Sequence, residues 1–393
     1  MGVASKNNTP SKLSGNKTVT VKFAPTQNSV NYIGKVNFSS SSTSINKVGL
    51  SGNTYQPSAT FDVINWNIEW FAGTNGPTDD AKQRQNAIKI LKSLSADLYA
   101  IAEIVDNLAF KDLAEQIGTT TSEFGYFVST FSSGASTPSS GNYASAQKLG
   151  FIYRKSMVSP IAKPNALFYT TVTTDPSYVA FSAGRFPFEL KANVTLKGVT
   201  KPINFTVLHA KAETSDGSYT KRKNGSALLK TYFDTNQAND NFIILGDFND
   251  DFDKTIATAA EAGADFPNSP YKNMIDDIAK YSAITLPLSL ADKKSTTSYN
   301  DVIDHVIVSN EMSAFYLPET ADILTSVTSM ISPDNFDATT SDHYPVLTRY
   351  LWQSTTSLKD VIANNAKLSI YPNPTTNTVT ISIDDYLILN EIF

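Results

Sequence analysis

The chain has 393 residues, 41% hydrophobic and 18% charged, a balance that supports one large folded domain with smaller appendages. Its net charge of −5 opposes polyanions at long range, so a nucleic acid would have to be met by a local basic patch or a bound cation. The absence of cysteine removes disulfides, thiolate nucleophiles and Cys-ligated zinc. No apolar run approaches the length of a membrane span, so no stable insertion is expected. Residues 1–16 show no basic region followed by a hydrophobic one, and no signal peptide is visible there.

Residues 17–56 read as a β region. Val19, Val21 and Phe23 alternate with polar residues, and 32–38 and 48–50 give two further short strands. The stretches KTVTVKFAPT, NYIGKVNFSS and VGLSGN resemble the last strands of Ig-like sandwich modules of the abnormal-spindle/Hydin type, so 1–56 is expected to be a partial module of that kind. A new pattern starts with Phe61, Val63 and Ile64, a core strand leading to Asn65, Asn67 and Glu69. A helix follows, with Thr78 as its N-cap, Asp79 and Asp80 in the first turn, and Ile88, Leu91 and Leu94 at helical spacing. The next apolar strand, within 96–106, carries one carboxylate, Glu103, at its end. Strand, helix, strand is the mark of an α/β layered domain.

From 124 to 160 the chain reads as strands around a Ser/Gly-rich loop at 132–142. Residues 181–212 read as a hairpin whose second strand ends at His209. A helix with Ala227, Leu228, Tyr232 and Phe233 on one face then leads into NFIILGDFNDD, 241–251. There Phe242 to Leu245 form a buried strand ended by Gly246. In extended geometry Asp247 and Asn249 point the same way, beyond the sheet. A carboxylate beside a carboxamide orients water or ligates a cation, although the same residues alone also fit an Asp/Asn-rich turn. Two more strands, 300–309 and 341–351, carry Asp304, His305, Asp342 and His343. A polar linker, 354–366, precedes two short strands in 368–383.

Polar residues thus gather at the ends of several strands. The segments WNIE, AEI, GRFP, LHAKA, GDFND, VIDHVIVS and SDHYPV, in that order across 61–351, resemble the endonuclease/exonuclease/phosphatase superfamily. The resemblance implies a four-layered α/β sandwich over 57–353, two mixed sheets flanked by helices, with small β appendages at both ends.

Splitting a phosphodiester needs an in-line water, a base, and positive charge on the non-bridging oxygens. His343 suits the base, since imidazole titrates near neutrality, and such a base needs an orienting carboxylate. The resemblance names Asp304 as that partner. It implies that Glu103 holds a metal, with Asp342 and Glu69 contributing and Asn67 assisting, and that Asp247 and Asn249 orient water and phosphate. It further implies that His209 donates to phosphate oxygens and that Arg185 lies near the scissile phosphate. Oxygen ligands favour a hard cation, Mg²⁺ first, with Mn²⁺ or Ca²⁺ as alternatives. His305 follows Asp304 directly and is expected to face the other way. Gln147 stands where related secreted deoxyribonucleases carry a glutamate, so a neutral hydrogen bond from Gln147 to His209 is expected. Lys221, Arg222 and Lys223 form a basic run that fits either a phosphate-tracking patch or a solvated helix start.

The tail LSIYPNPTTNTVTISI resembles the start of a type IX secretion C-terminal sorting domain, making 367–393 a truncated sorting segment that engages secretion machinery. The expectation is a monomeric, secreted or cell-surface, metal-dependent phosphodiesterase acting on nucleic acid. A phospholipid or sphingomyelin phosphodiesterase and a non-catalytic surface module are the alternatives.

Overall fold

The computed structural model describes residues 31–40, 43–53, 59–215, 217–352 and 378–380. The chain divides into two compact units, Phe61–Trp352 and a second formed by both terminal segments. In the terminal unit β1 (Asn31–Ser40) and β2 (Thr43–Asn53) form an antiparallel hairpin, and residues 378–380 pair antiparallel with β1. The expected strand at Val19 to Phe23, the linker and the rest of 368–383 lie outside the described residues.

In the large unit the apolar runs become strands. The chain passes through β3 (Phe61–Phe71), α1 (Asp80–Leu94), β4 (Leu98–Ile104), α2 (Asn107–Gln116), β5 (Phe124–Val128) and β6 (Lys148–Arg154). It continues through β7 (Val158–Pro160), β8 (Asn165–Ala166), α3 (Pro176–Ala180), β9 (Phe188–Leu196), β10 (Val199–His209), α4 (Ser218–Asn236) and β11 (Phe242–Asp247). β12 (Tyr281–Ala283), β13 (Asp304–Ser309), β14 (Asp322–Ile323) and β15 (Val346–Tyr350) complete it. The first sheet runs β14-β15-β3-β4-β6-β5, and the second β12-β13-β11-β10-β9-β7 with β8 beside β9. Each is mixed. β3 and β4 are parallel, as are β10 and β11, because α1 and α4 return the chain to the same end. The two sheets flanked by helices are the α/β sandwich expected from the sequence.

Alternation along β3 and β4 explains the layering. Phe61, Val63, Leu98 and Ala100 join the core that includes the second sheet, while Ile64, Trp66, Tyr99 and Ile101 pack with Ile90 and Leu91 of α1. Among the described residues no helix is long and apolar enough to cross a membrane.

Several local expectations need correction. The N-cap of α1 is Asp79, whose side chain accepts from the backbone of Lys82, because a carboxylate reaches that orphan N–H. The buried stripe of α1 is Gln83, Asn86, Ala87, Ile90 and Leu91, with Ile88 and Leu94 only half-buried. In α4 the buried face runs through Arg222, Ser226, Leu229 and Phe233, while Ala227 is exposed and Leu228 and Tyr232 half-buried. The strands around 300–309 and 341–351 shorten to β13 and β15, leaving His343 in the segment before β15.

The second sheet does not end at Gly246. Gly246 has φ +134°, and a Cβ there would sit 2.2 Å from the Leu208 carbonyl oxygen, so only glycine lets β10 and β11 continue side by side. The ladder closes one residue later with His209 opposite Asp247, and on its other side with Asp247 opposite Asp304.

Candidate active site

Strand ends from both sheets converge at one end of the sandwich. Asn67 of β3 is the link between them: its Nδ2 donates to Glu103 Oε1 of the first sheet and to Asp247 Oδ2 of the second, both at 3.0 Å. Its Oδ1 accepts from the Glu69 backbone at 3.1 Å. Glu103 has φ +67°, a left-handed conformation at the end of β4, and its Oε2 accepts from the Trp70 backbone at 3.0 Å. Glu69 Oε2 in turn accepts from the Asp342 backbone at 3.0 Å.

The extended alternation expected for Asp247 and Asn249 stops at Asp247. Asn249 has φ +52°, and its N–H folds back onto Asp247 Oδ1 at 2.9 Å while its Nδ2 donates to the Ala210 carbonyl at 3.3 Å. Asparagine enters the left-handed region more readily than most residues, and here the Asp247 carboxylate holds its backbone N–H. Asn249 therefore ties the ends of β10 and β11 together.

His343 is reached from the first sheet and held from the second. Its Nδ1 lies 2.8 Å from Asp304 Oδ2, and its Nε2 lies 3.9 Å from Asp247 Oδ2 and 3.8 Å from Asp342 Oδ1. Its backbone is pinned as well. Trp66 Nε1 donates to the His343 carbonyl at 2.8 Å, and the His343 N–H donates to Ser341 Oγ at 3.0 Å. Ser295 Oγ accepts from the backbones of Ile303 and Asp304, fixing the carboxylate that faces the ring.

His209 sits across the site with Nε2 3.5 Å from Glu103 Oε1 and from Asp247 Oδ2. Arg185 Nη1 lies 2.9 Å from the same nitrogen, and the guanidinium also donates to Ser182 Oγ, the Ala210 carbonyl and Gln147 Oε1. Gln147 thus bonds Arg185 and not the expected His209. Arg185 is held at the site rather than left on a solvated turn. Among the described residues no carboxylate forms a salt bridge with it.

The electrostatics follow from burial and crowding. Burial pushes Asp247 up to about 7 and raises Glu103, and burial with the Asp342 charge pushes Glu69 up to about 7. For His343 burial opposes the charged form, but the Asp304 and Asp247 carboxylates outweigh it and raise it well above the usual range. His209 is driven the other way by burial and by Arg185, and stays neutral.

The donor set fits a hard divalent cation. Carboxylates crowd together without enough cations to neutralise them, and Asp304 Oδ1 is buried with no hydrogen-bond partner. Asp247, Asp304 and His343 each offer an atom within 4.8 Å of the others, a buried group that could hold such an ion. Glu103, Glu69 and Asp342, expected as ligands, stand outside that group and border it through Asn67 and the Asp342 backbone.

Two features went unread in the sequence. The basic run is not a free patch: Arg222 is fully buried, its Nε and Nη2 at 2.9 and 2.8 Å from Asp250 Oδ2, and Lys223 pairs with Asp265. Gln83 is the other, buried beneath Glu69. Its signal was an amide on the same helical stripe as Ala87, Ile90 and Leu91. His305, expected from alternation to face away, lies buried with Nδ1 2.8 Å from Thr285 Oγ1 and plays no part in this cluster.

A two-sheet α/β sandwich with a His–Asp pair and clustered carboxylates at its strand ends is the architecture of a metal-dependent phosphoesterase. The chain belongs to the endonuclease/exonuclease/phosphatase family, whose model matches residues 64–343. Members of this family are typically metal-dependent phosphodiesterases or phosphatases. Among solved structures it is similar to a humanized D. rerio TDP2 carrying 14 mutations, at 14% identity and TM-score 0.49 over 75% of this chain and 99% of that one. It is similar also to the human nocturnin catalytic domain with bound sulfate, at 16% identity and TM-score 0.48 over 76% and 96%. A family protein from Bacteroides vulgatus shows 13% identity and TM-score 0.49 over 75% and 99%. No curated protein matches the chain.

Proposed function

We propose that the protein is a Mg²⁺-dependent phosphodiesterase that cleaves nucleic acid with a water activated by His343. The observation that carries this reading is the His343–Asp304 bond at 2.8 Å, which leaves Nε2 facing Asp247 and Asp342. Asp304 holds the proton-bearing Nδ1, so Nε2 is the nitrogen that takes a proton from water. Asp247, fixed by Asn67 and by the Asn249 backbone, accepts from that water and sets its direction. Arg185, on the opposite side and braced against His209 Nε2, donates to phosphoryl oxygens.

Glu103, Glu69 and Asp342, which border the Asp247–Asp304–His343 group, would hold the cation at its rim, leaving Asp304 Oδ2 to the His343 ring and Asp247 to the water. A cation there supplies positive charge for the phosphoryl oxygens and offsets the carboxylate field that raises His343. The nucleic-acid assignment rests on resemblance of the WNIE, GRFP and LHAKA segments, and loses the support of a basic run at 221–223. Secretion through a type IX route rests on the resemblance of residues 368–383 and belongs to the same proposal.

The test runs one preparation with Mg²⁺ on supercoiled plasmid, RNA, sphingomyelin and a soluble phosphomonoester. Nicking of plasmid or cleavage of RNA is the expected result. Turnover of the lipid or the monoester alone overturns the nucleic-acid assignment and keeps the phosphoesterase, while no turnover of any of them overturns both.

A further inference from the structure

The segment after β3's buried part is bent in an unusual way. Glu69, Trp70 and Ala72 have φ of +50°, +46° and +55°, three left-handed non-glycine residues within four positions. Such residues are strained and persist only where their surroundings hold them. The bend points the Trp70 N–H at Glu103 Oε2 and lets the Glu69 side chain reach the Asp342 backbone.

What holds the bend is one side chain of α1. Gln83 is fully buried, and its Nε2 lies 2.7 Å from the Glu69 carbonyl, 3.0 Å from that of Ile68 and 3.1 Å from that of Thr340. Its Oε1 accepts from the Ala72 backbone at 2.9 Å. One amide therefore spans the bend from Ile68 to Ala72 and joins it to the residue before Ser341, Asp342 and His343. Asn86, one turn along the same face, donates to the hydroxyls of Thr339 and Thr340 at 3.0 and 3.1 Å. Ser341 completes the clamp by donating to the Asn67 carbonyl at 2.8 Å and accepting from the His343 backbone.

We infer that Gln83 is a positioning residue of this site: it fixes the Glu69 bend and the Asp342–His343 segment in one register, so that the proposed cation ligands and the proposed base keep their spacing. The inference rests on the phosphodiesterase reading for its kinetic consequence and on hydrogen bonds alone for its structural one. A helix amide with two hydrogens shared among three carbonyls cannot be replaced by an apolar side chain of equal size without freeing all three. Small displacements of a catalytic group cost roughly 10²-fold in rate.

The experiment compares Gln83→Met with Asn204→Leu in the full chain. Asn204 is a buried amide in β10 bonded to Gln237 and Asp240, five positions before the strand end that bears His209, and it serves as a stability control. With Mg²⁺ and a soluble phosphodiester, Gln83→Met should lose roughly 10²-fold in kcat with KM within about twofold, whereas Asn204→Leu keeps kcat within about threefold. Gln83→Glu preserves the side-chain volume and the Ala72 bond, and carries the same comparison if the Met variant does not fold. The chain has three histidines, so the His343 imidazole resonance is a second readout that needs no activity. It should shift in the Gln83 variants and not in Asn204→Leu. An unshifted His343 signal, or a kcat retained within about threefold by the Gln83 variants, overturns the inference. If the wild-type protein turns over no phosphodiester, the functional reading fails and the histidine spectrum alone decides the role of Gln83.

Discussion

The His343 Nδ1 and the Asp304 Oδ2 lie 2.8 Å apart although the first precedes a strand of one sheet and the second opens a strand of the other. The bond spans the gap between the two layers. His343→Ala should lower turnover by roughly 10²–10⁴-fold, the usual cost of a missing general base. Asp304→Asn should also lower it, since an amide cannot stabilise the charged imidazole. Steady-state rates on a soluble phosphodiester check both. Turnover of His343→Ala at the wild-type rate would remove His343 from the mechanism.

Chelation should abolish turnover, and Mg²⁺ or Mn²⁺ should restore it, because the carboxylates at the site need a compensating charge. Glu103→Gln keeps shape and removes one negative charge. It should raise the Mg²⁺ concentration for half-maximal rate by roughly tenfold or more. Metal titrations of the rate measure this, and full activity after exhaustive chelation would rule out the metal.

Arg222 and Asp250 form an ion pair with both side chains wholly enclosed, and Arg222 Nη1 also donates to the carbonyls of Lys211 and Glu213 at 2.8 Å. The pair joins α4 to the loops that follow β10 and β11. Arg222→Met leaves the Asp250 carboxyl buried without its ion partner, so a loss of about 3–5 kcal/mol in unfolding free energy is expected. The double change Arg222→Met with Asp250→Leu should recover part of it. Urea unfolding of the three proteins tests the pair, and a single-variant loss below about 1 kcal/mol would show that it is unimportant.

His305 lies flat on Phe252, ring centroids 3.5 Å apart, and burial pulls it down to about 3. A depressed folded value means that the neutral ring stabilises the fold above the unfolded value of about 6.5, and that this contribution is lost as pH falls toward 3. His305→Phe, which cannot titrate, should flatten the pH dependence of stability across that window relative to wild type. Urea midpoints at pH 7, 6, 5 and 4 measure it. Parallel curves for the two proteins would show that His305 does not contribute.

The sequence by itself determined the layers and most of the strand ends. Runs such as Phe242 to Leu245 and Phe61 to Ile64 are buried on both faces, and that burial is written into their composition. Polar residues that follow such runs, Asn67, Glu103, His209 and Asp247, fall at the ends of interior strands for the same reason. Only the tertiary structure decided which side of α4 faces inward. A basic run reads as solvated unless a buried carboxylate waits for it, and Asp250 lies 28 residues further along the chain. The left-handed turns at Glu69 and Glu103 were equally hidden, because φ at these non-glycine residues is set by distant partners, here Gln83 and Trp70. Periodicity sees faces, and the chemistry of this site depends on which long-range hydrogen bonds those faces make.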